Sequence, residues 1–232
     1  MLGGDRKNEQ KIKERLSLQT SSTGSTALHI AARYGRISVM KCILGLWPTL
    51  QIDKLNSTGK TALMCASLHG QNDAVKLLLE NGSRALITNK SDQSPLHLAA
   101  RSRETGSSDV IKTLLEAKLD PGLKDADGYT PLLHAVATEN IPALEVLIPV
   151  SSLDAVDNKG RDALLLAIEE SAPVSEDLVK FLVSKGAEVK GKTYHMSLRG
   201  GGEWLKDYIA GEGGEVIEYS WLEELMRRRR FR

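Results

Sequence analysis

Five near-copies of one pattern, starting at Thr26, Thr61, Ser94, Thr130 and Asp162, constrain this chain more than any other feature of it. The first copy reads G-S-T-A-L-H-I-A-A-R-Y-G-R-I-S-V-M-K-C-I-L from Gly24 to Leu44. Thr26 suits a helix N-cap, where a hydroxyl accepts from the amides of the first turn. Ala27, Leu28, Ile30, Ala31 and Ala32 follow as a helix with a mostly small packing face, and Gly35 stops it. Ile37, Val39, Met40, Ile43 and Leu44 then recur at spacings of three and four, the apolar stripe of a second helix. A lone helix pair cannot bury that stripe, so copies must pack alongside one another.

The second copy runs T-A-L-M-C-A-S-L-H-G-Q-N-D-A-V-K-L-L-L-E-N-G from Thr61. The third is S-P-L-H-L-A-A from Ser94 with V-I-K-T-L-L from Val110, and the fourth is T-P-L-L-H-A-V from Thr130 with A-L-E-V-L-I from Ala143. The fifth is D-A-L-L-L-A-I from Asp162 with L-V-K-F-L-V from Leu178. The starts fall 35, 33, 36 and 32 residues apart. With this period and signature the chain resembles the ankyrin-repeat family from about Gly24 to Val189. The resemblance implies an all-α solenoid of stacked antiparallel helix pairs, with short hairpin-like fingers projecting from one edge.

The organisation that follows is a polar N-terminal lead-in or cap at 1–23 and a repeat domain at 24–189. Its repeats span about 24–55, 56–88, 89–124, 125–156 and 157–190. A divergent helical C-terminal cap at 191–226 and a basic tail at 227–232 complete the chain. Ile12 and Leu16 lie four apart among charged residues, so a turn or two of helix there would cover the first repeat. After Val189 the pattern lapses, and Gly200-Gly201-Gly202 breaks any helix. Two apolar segments follow, one with Trp204, Leu205, Tyr208 and Ile209, the other with Ile217, Tyr219, Trp221, Leu222, Leu225 and Met226. They suit a cap over the fifth repeat; equally, the aromatic residues suit anchors in a partner-binding helix.

The turns between repeats are readable. Asn56-Ser57-Thr58-Gly59, Asp125-Ala126-Asp127-Gly128 and Asp157-Asn158-Lys159-Gly160 each place Asn or Asp first and Gly fourth, the preference of a type I turn. Asn89-Lys90-Ser91-Asp92 keeps the first position but has Asp for Gly. Pro95 and Pro131 take the first helical position, where a missing amide costs nothing. The family's threonine-to-histidine pair is complete only as Thr26/His29 and Ser94/His97; Met64, Leu133 and Leu165 replace the histidine elsewhere, and Asp162 replaces the threonine. Repeats three and five carry about three extra residues between their helices, around 101–108 and 169–176, and repeat one has a longer exit with Trp47 and Pro48.

No pattern of residues points to catalysis. No C-x-x-C or H-x-x-x-H pair marks a metal site. Gly59-Lys60-Thr61 ends like a phosphate-binding loop but lacks its leading glycine, and no G-x-S-x-G nucleophile motif occurs. No enzyme activity, metal or nucleotide cofactor is therefore expected. A formal charge of +1 gives no overall drive toward nucleic acid, and no apolar run reaches the ~20 residues of a membrane span. Two cysteines, Cys42 and Cys65, fall far short of a disulfide framework and suit a reducing compartment, cytoplasmic or nuclear. The terminal Arg227–Arg232 run, with five arginines, reads as a solvated end, a nuclear-import signal or an anion-binding tail.

The expected function is a monomeric, non-catalytic scaffold or adaptor that binds a protein partner; a regulatory or targeting piece of a larger enzyme or membrane protein is the alternative. The resemblance implies a groove lined by fingertips and by the ends of the first helices. In repeats one and two that places Arg33, Tyr34, Ser57, Thr58, Lys60 and His69 there, beside Ser25 and Leu68. Repeat three supplies Lys90, Ser91, Gln93 and Arg101, repeat four Asp127, Tyr129 and Thr138, and repeat five Lys159, Arg161, Glu169 and Glu170. Cations occupy the first three repeats and acidic groups enter only from Asp127, so the expected partner sets an acidic segment against repeats one to three.

Overall fold

The computed structural model describes residue 20 and residues 22–46, 51–170 and 175–188. Five helix pairs follow one another: α1 Ala27–Arg33 with α2 Ile37–Leu46, α3 Ala62–Leu68 with α4 Asn72–Glu80, and α5 Pro95–Ala100 with α6 Ser107–Glu116. Then come α7 Pro131–Ala137 with α8 Ile141–Leu147, which a 3₁₀ turn Ile148–Val150 extends, and α9 Ala163–Glu170 with α10 Glu176–Ser184. First helices pack on first helices along the stack, α1 on α3, α3 on α5, α5 on α7 and α7 on α9. Second helices pack likewise in a second row, α2 on α4, α4 on α6 and α6 on α8. No strand occurs among the described residues, so the fold is an all-α solenoid. The expected cap at 191–226, the tail, the lead-in up to residue 19, Trp47 and Pro48 lie outside the described residues.

The two rows bury themselves differently, and composition explains why. A first helix has a neighbour on both sides and its own partner behind it, so it is covered almost all round. Every residue of α5 is buried, as are Ala62 to Ser67 of α3. Short Ala and Ser side chains at these positions let three helices approach, which is why the sequence there is alanine-rich. The second helices bury only one stripe: Ala74, Val75 and Leu78 in α4, Val110, Ile111 and Leu114 in α6, Ala143, Leu144 and Leu147 in α8. Each such Leu contributes ~1.5–3 kcal/mol by leaving water.

The N-caps do what the sequence predicts in repeats two to five. The side-chain oxygens of Thr61, Ser94 and Thr130 accept from the amides of Met64, His97 and Leu133. Asp162, the departure in repeat five, accepts from Leu165 at 2.9 Å, so a carboxylate replaces the hydroxyl without loss of the cap.

The fingers are closed by one repeated device. The backbone carbonyl of Asn56, Asn89, Asp125 or Asp157 accepts from the amide three residues on, while its side-chain oxygen accepts from the amides two and four residues on. The fourth turn residue has positive φ, 76°, 80° and 74° at Gly59, Gly128 and Gly160. Asp92 holds the same place at 57°, a conformation that an L side chain tolerates poorly.

The extra residues of repeat three form the loop between α5 and α6, and it is gripped from both sides. On one side Gly106 lies so close to repeat two that a Cβ there would stand 2.1 Å from the Gly70 carbonyl oxygen. On the other, the buried Asn140 amide donates to the Ala100 and Ser102 carbonyls. Gly106→Ala should therefore force the loop off repeat two and lower unfolding free energy by about 2 kcal/mol, the usual cost of overpacking. Urea denaturation checks this; a change within ~0.5 kcal/mol, the scatter of ordinary surface substitutions, would show that the contact is slack.

Candidate interaction groove

Three tiers of side chains, each contributed once per repeat, build the surface along the fingers and the first helices. The first tier is the fingertips: Ser57 and Thr58, Lys90 and Ser91, Asp127, and Lys159, all exposed. Backbone hydrogen bonds tie finger one to two, three to four and four to five: Ser57 N–H to the Thr23 carbonyl, Ala126 N–H to that of Ser91, and Asn158 N–H to that of Asp127. The tips are therefore held as two linked sets, repeats one and two and repeats three to five.

The second tier is the residue that caps the C-terminal end of each first helix: Tyr34, His69, Arg101 and Thr138. Tyr34 is 56% exposed, with the Arg33 guanidinium 5.5 Å from its ring centre. Arg101 is exposed, and its nearest polar partner is the Gln93 side-chain oxygen at 3.5 Å. His69 is half-buried and donates from Nδ1 to the Cys65 carbonyl at 2.9 Å. Thr138 likewise donates to the His134 carbonyl at 2.9 Å. In repeat five Glu169 is exposed.

The third tier is the residue just before each N-cap: Lys60, Gln93, Tyr129 and Arg161. Here the sequence expectation needs correction. Gln93 and Arg161 are 7% and 6% exposed, so they form the floor of the surface rather than its face. Gln93 is drawn inward by Asp125 of the next finger, to which its amide donates at 3.2 Å. Arg161 is held by three partners: it donates to the Asp157 carboxylate at 2.7 Å, to Glu169 at 3.3 Å and to the Tyr129 hydroxyl at 2.7 Å. Its guanidinium lies 5.9 Å from the Tyr129 ring centre.

Histidines complete the floor, and their tautomers follow from their partners. The Ser94 N–H donates to His97 Nδ1 at 3.1 Å, so the proton sits on Nε2, which donates to the Tyr129 and Leu123 carbonyls, each at 3.1 Å. His29 repeats this one pair of repeats earlier: Thr26 N–H donates to Nδ1 at 3.2 Å and Nε2 donates to the Lys60 carbonyl at 2.9 Å. Each ring thus pins its own helix start to the finger of the next repeat. Burial and, for His97, the neighbouring His134 push both below the ordinary imidazole value, His97 to about 4. His134, absent from the sequence expectation, donates from Nε2 to Asp125 at 2.8 Å and packs 5.0 Å from the Tyr129 ring. Burial outweighs that carboxylate and lowers His134 too. Desolvation alone would raise Asp125 and Asp157; their hydrogen bonds to His134 and Gln93, and to Arg161 and Lys159, more than offset it and hold both below the usual carboxylate value.

The buried and the exposed cations of the surface therefore differ in kind. Arg161 is neutralised by Asp157 and Glu169. Arg33, Lys60, Lys90 and Arg101 pair with no carboxylate among the described residues. No group of three or more His, Cys, Asp or Glu side chains among the described residues is arranged to hold a metal, and Cys42 and Cys65 are both free thiols.

Comparison with known proteins bears on the repeats themselves. The family model described as ankyrin repeats fits three overlapping stretches, residues 6–90, 28–125 and 96–193. The probable 26S proteasome regulatory subunit p28 of Saccharomyces cerevisiae is 31% identical over 165 residues, 70% of this chain and 68% of the yeast protein. The B-cell lymphoma 3 protein homolog of Mus musculus is 29% identical over 187 residues, covering 77% of this chain and 40% of the mouse protein. Neurogenic locus notch homolog protein 1 of Xenopus tropicalis is 32% identical over 152 residues, 64% of this chain but only 6% of the frog protein. The chain thus spans about two thirds of the yeast relative and less than half of the other two.

Proposed function

The chain belongs to the ankyrin-repeat family, and from that premise we propose that it is a non-catalytic protein-interaction module whose groove receives an acidic segment of a protein partner. One observation carries the reading: the exposed Arg33, Lys90 and Arg101 and the half-buried Lys60 lie on the groove tiers of repeats one to three without carboxylate partners among the described residues. A cation satisfied within the fold, like Arg161, has little left to offer a partner; an unpaired one on a rigid surface attracts opposite charge and steers association. Tyr34 beside Arg33 adds an aromatic anchor of the type that dominates binding energy. The hydrogen bonds within the two linked sets of fingertips lower the ordering cost of binding. No helix among the described residues is long and apolar enough to cross a membrane. Two free thiols suit the reducing conditions of cytoplasm or nucleus.

The test compares two charge reversals against a partner recovered by affinity capture and crosslinking from the source cell. Arg33→Glu, Lys60→Glu and Arg101→Glu together should weaken binding by ~10-fold or more, about 1.4 kcal/mol per decade. The control reverses Lys41, Lys76 and Lys112, exposed on the second helices α2, α4 and α6. It should leave affinity within about twofold, because charges far from the contact act weakly through screened solvent. Loss of binding in the control set alone would defeat the assignment.

A further inference from the structure

The cations Arg33, Lys60, Lys90 and Arg101 lie along three adjacent repeats. Like charges crowded on one surface repel, and an anionic segment carrying apolar anchors would relieve that repulsion while covering Tyr34. The chain itself contains such a segment. Residues 212–226, E-G-G-E-V-I-E-Y-S-W-L-E-E-L-M, hold Glu212, Glu215, Glu218, Glu223 and Glu224 with no lysine or arginine, interleaved with Trp221, Leu222 and Leu225. Gly211, Gly213 and Gly214 set it apart from the earlier apolar stretch Trp204–Ile209.

Resting on the groove reading above, we propose that residues 212–226 occupy the groove of repeats one to three in the same molecule, so that the external partner binds by displacing them. Charge order agrees along most of the length. The groove runs from cations in repeats one to three, interrupted by Asp92, to the exposed carboxylates Asp127 and Glu169 in repeats four and five, with Lys159 between them. The C-terminal stretch runs from glutamates at 212–224 to the arginines at 227–230 and 232. Laid parallel to the stack, each block meets its opposite. Reach is sufficient: the described fold ends at Glu188, and residues 189–211 span at most about 80 Å. Four steps between helices packed ~8–10 Å apart come to about 40 Å. Tethering makes even a weak contact effective. At an effective concentration of ~1 mM, a segment with an intrinsic Kd of ~0.1 mM fills the groove about nine-tenths of the time. It then raises a competitor's apparent Kd about tenfold.

The experiment uses a synthetic peptide of residues 212–226 as the probe, added to three full-length proteins at near-physiological salt. These are the intact chain, a tail-reversed chain (Glu215→Lys, Glu218→Lys, Glu223→Lys) and that tail-reversed chain with Arg33→Glu, Lys60→Glu and Arg101→Glu added. The expected result is binding to the tail-reversed chain about tenfold tighter than to the intact one, and loss of that gain in the third protein. Equal binding to the intact and tail-reversed chains, lost on groove reversal, would overturn self-occupancy while leaving the groove reading in place. Binding to the third protein as tight as to the second would overturn the groove reading itself, and binding to none of the three would overturn self-occupancy. Sedimentation decides the source: the intact chain should stay monomeric at every concentration. A concentration-dependent dimer that tail reversal dissolves would place the segment in a second copy and defeat the intramolecular claim.

Discussion

Lowering the pH from 7 to 4 should cost the fold about 3 kcal/mol through His97 alone. The ring is fully buried and neutral, its Nδ1 accepting from the Ser94 amide and its Nε2 donating to two carbonyls of the neighbouring repeat. Burial first, and then the neighbouring His134, disfavour the charged ring and hold the folded value near 4, while the unfolded chain titrates near 6.5. Between those values the unfolded state binds more protons than the native one. Stability therefore falls as pH drops through 6.5 and levels off for this group below about 4. His29 and His134, both lowered, act in the same direction. Asp125 and Asp157, also lowered, add their losses only as pH falls below the ordinary carboxylate value. The check is urea denaturation at pH 7, 5.5 and 4 on the native chain and on His97→Gln, which can still accept and donate but does not titrate. The variant's stability should depend on pH less steeply by about 3 kcal/mol over that range. Parallel curves for the two proteins would refute the assignment.

Arg161→Ala should destabilise the protein by about 3–5 kcal/mol, the cost of breaking a buried ion pair by removing one partner. The substitution strips the Asp157 carboxylate, 5% exposed, of its one charged donor among the described residues and leaves it to the amides of Lys159 and residue 161. It also frees Glu169 and the Tyr129 hydroxyl from the guanidinium. Asp157→Asn on the Arg161→Ala background removes the stranded charge, so the double variant should lose less than the sum of the singles, by ~1 kcal/mol or more. Because stacked repeats are stabilised by nearest neighbours, hydrogen exchange should quicken first in α7 to α10 and last in α1 to α4. Should Arg161→Ala cost under ~1 kcal/mol, within the range of an exposed pair, the side chain is a groove contact after all and its burial is not maintained in solution.

The helix pairs, their limits and the family were legible in the sequence because the forces that set them act within one repeat. A cap bonds an amide three residues away, an apolar stripe recurs every three or four residues, and a finger closes over five. Five copies of the same local pattern leave little doubt about stacking, since a single copy cannot bury its own stripe. Even the departure at Asp162 cost nothing locally, because a carboxylate caps as well as a hydroxyl. The tertiary structure decided what depends on the neighbouring repeat. Gln93 and Arg161 stand at the same position as Lys60 and Tyr129, and the repeat pattern alone does not say that they turn inward. Gln93 does so because Asp125 lies 32 residues on, on the next finger, while Arg161 is held by Asp157 and Glu169 of its own repeat and by Tyr129, 32 residues before, on the preceding finger. In the same way, the fit of Gly106 against Gly70 depends on how loops of separate repeats meet. Local hydrogen bonding and periodicity write the elements into the chain; which polar side chain becomes floor and which remains free for a partner is settled only when folding brings fingers, helix ends and neighbouring repeats within bonding distance.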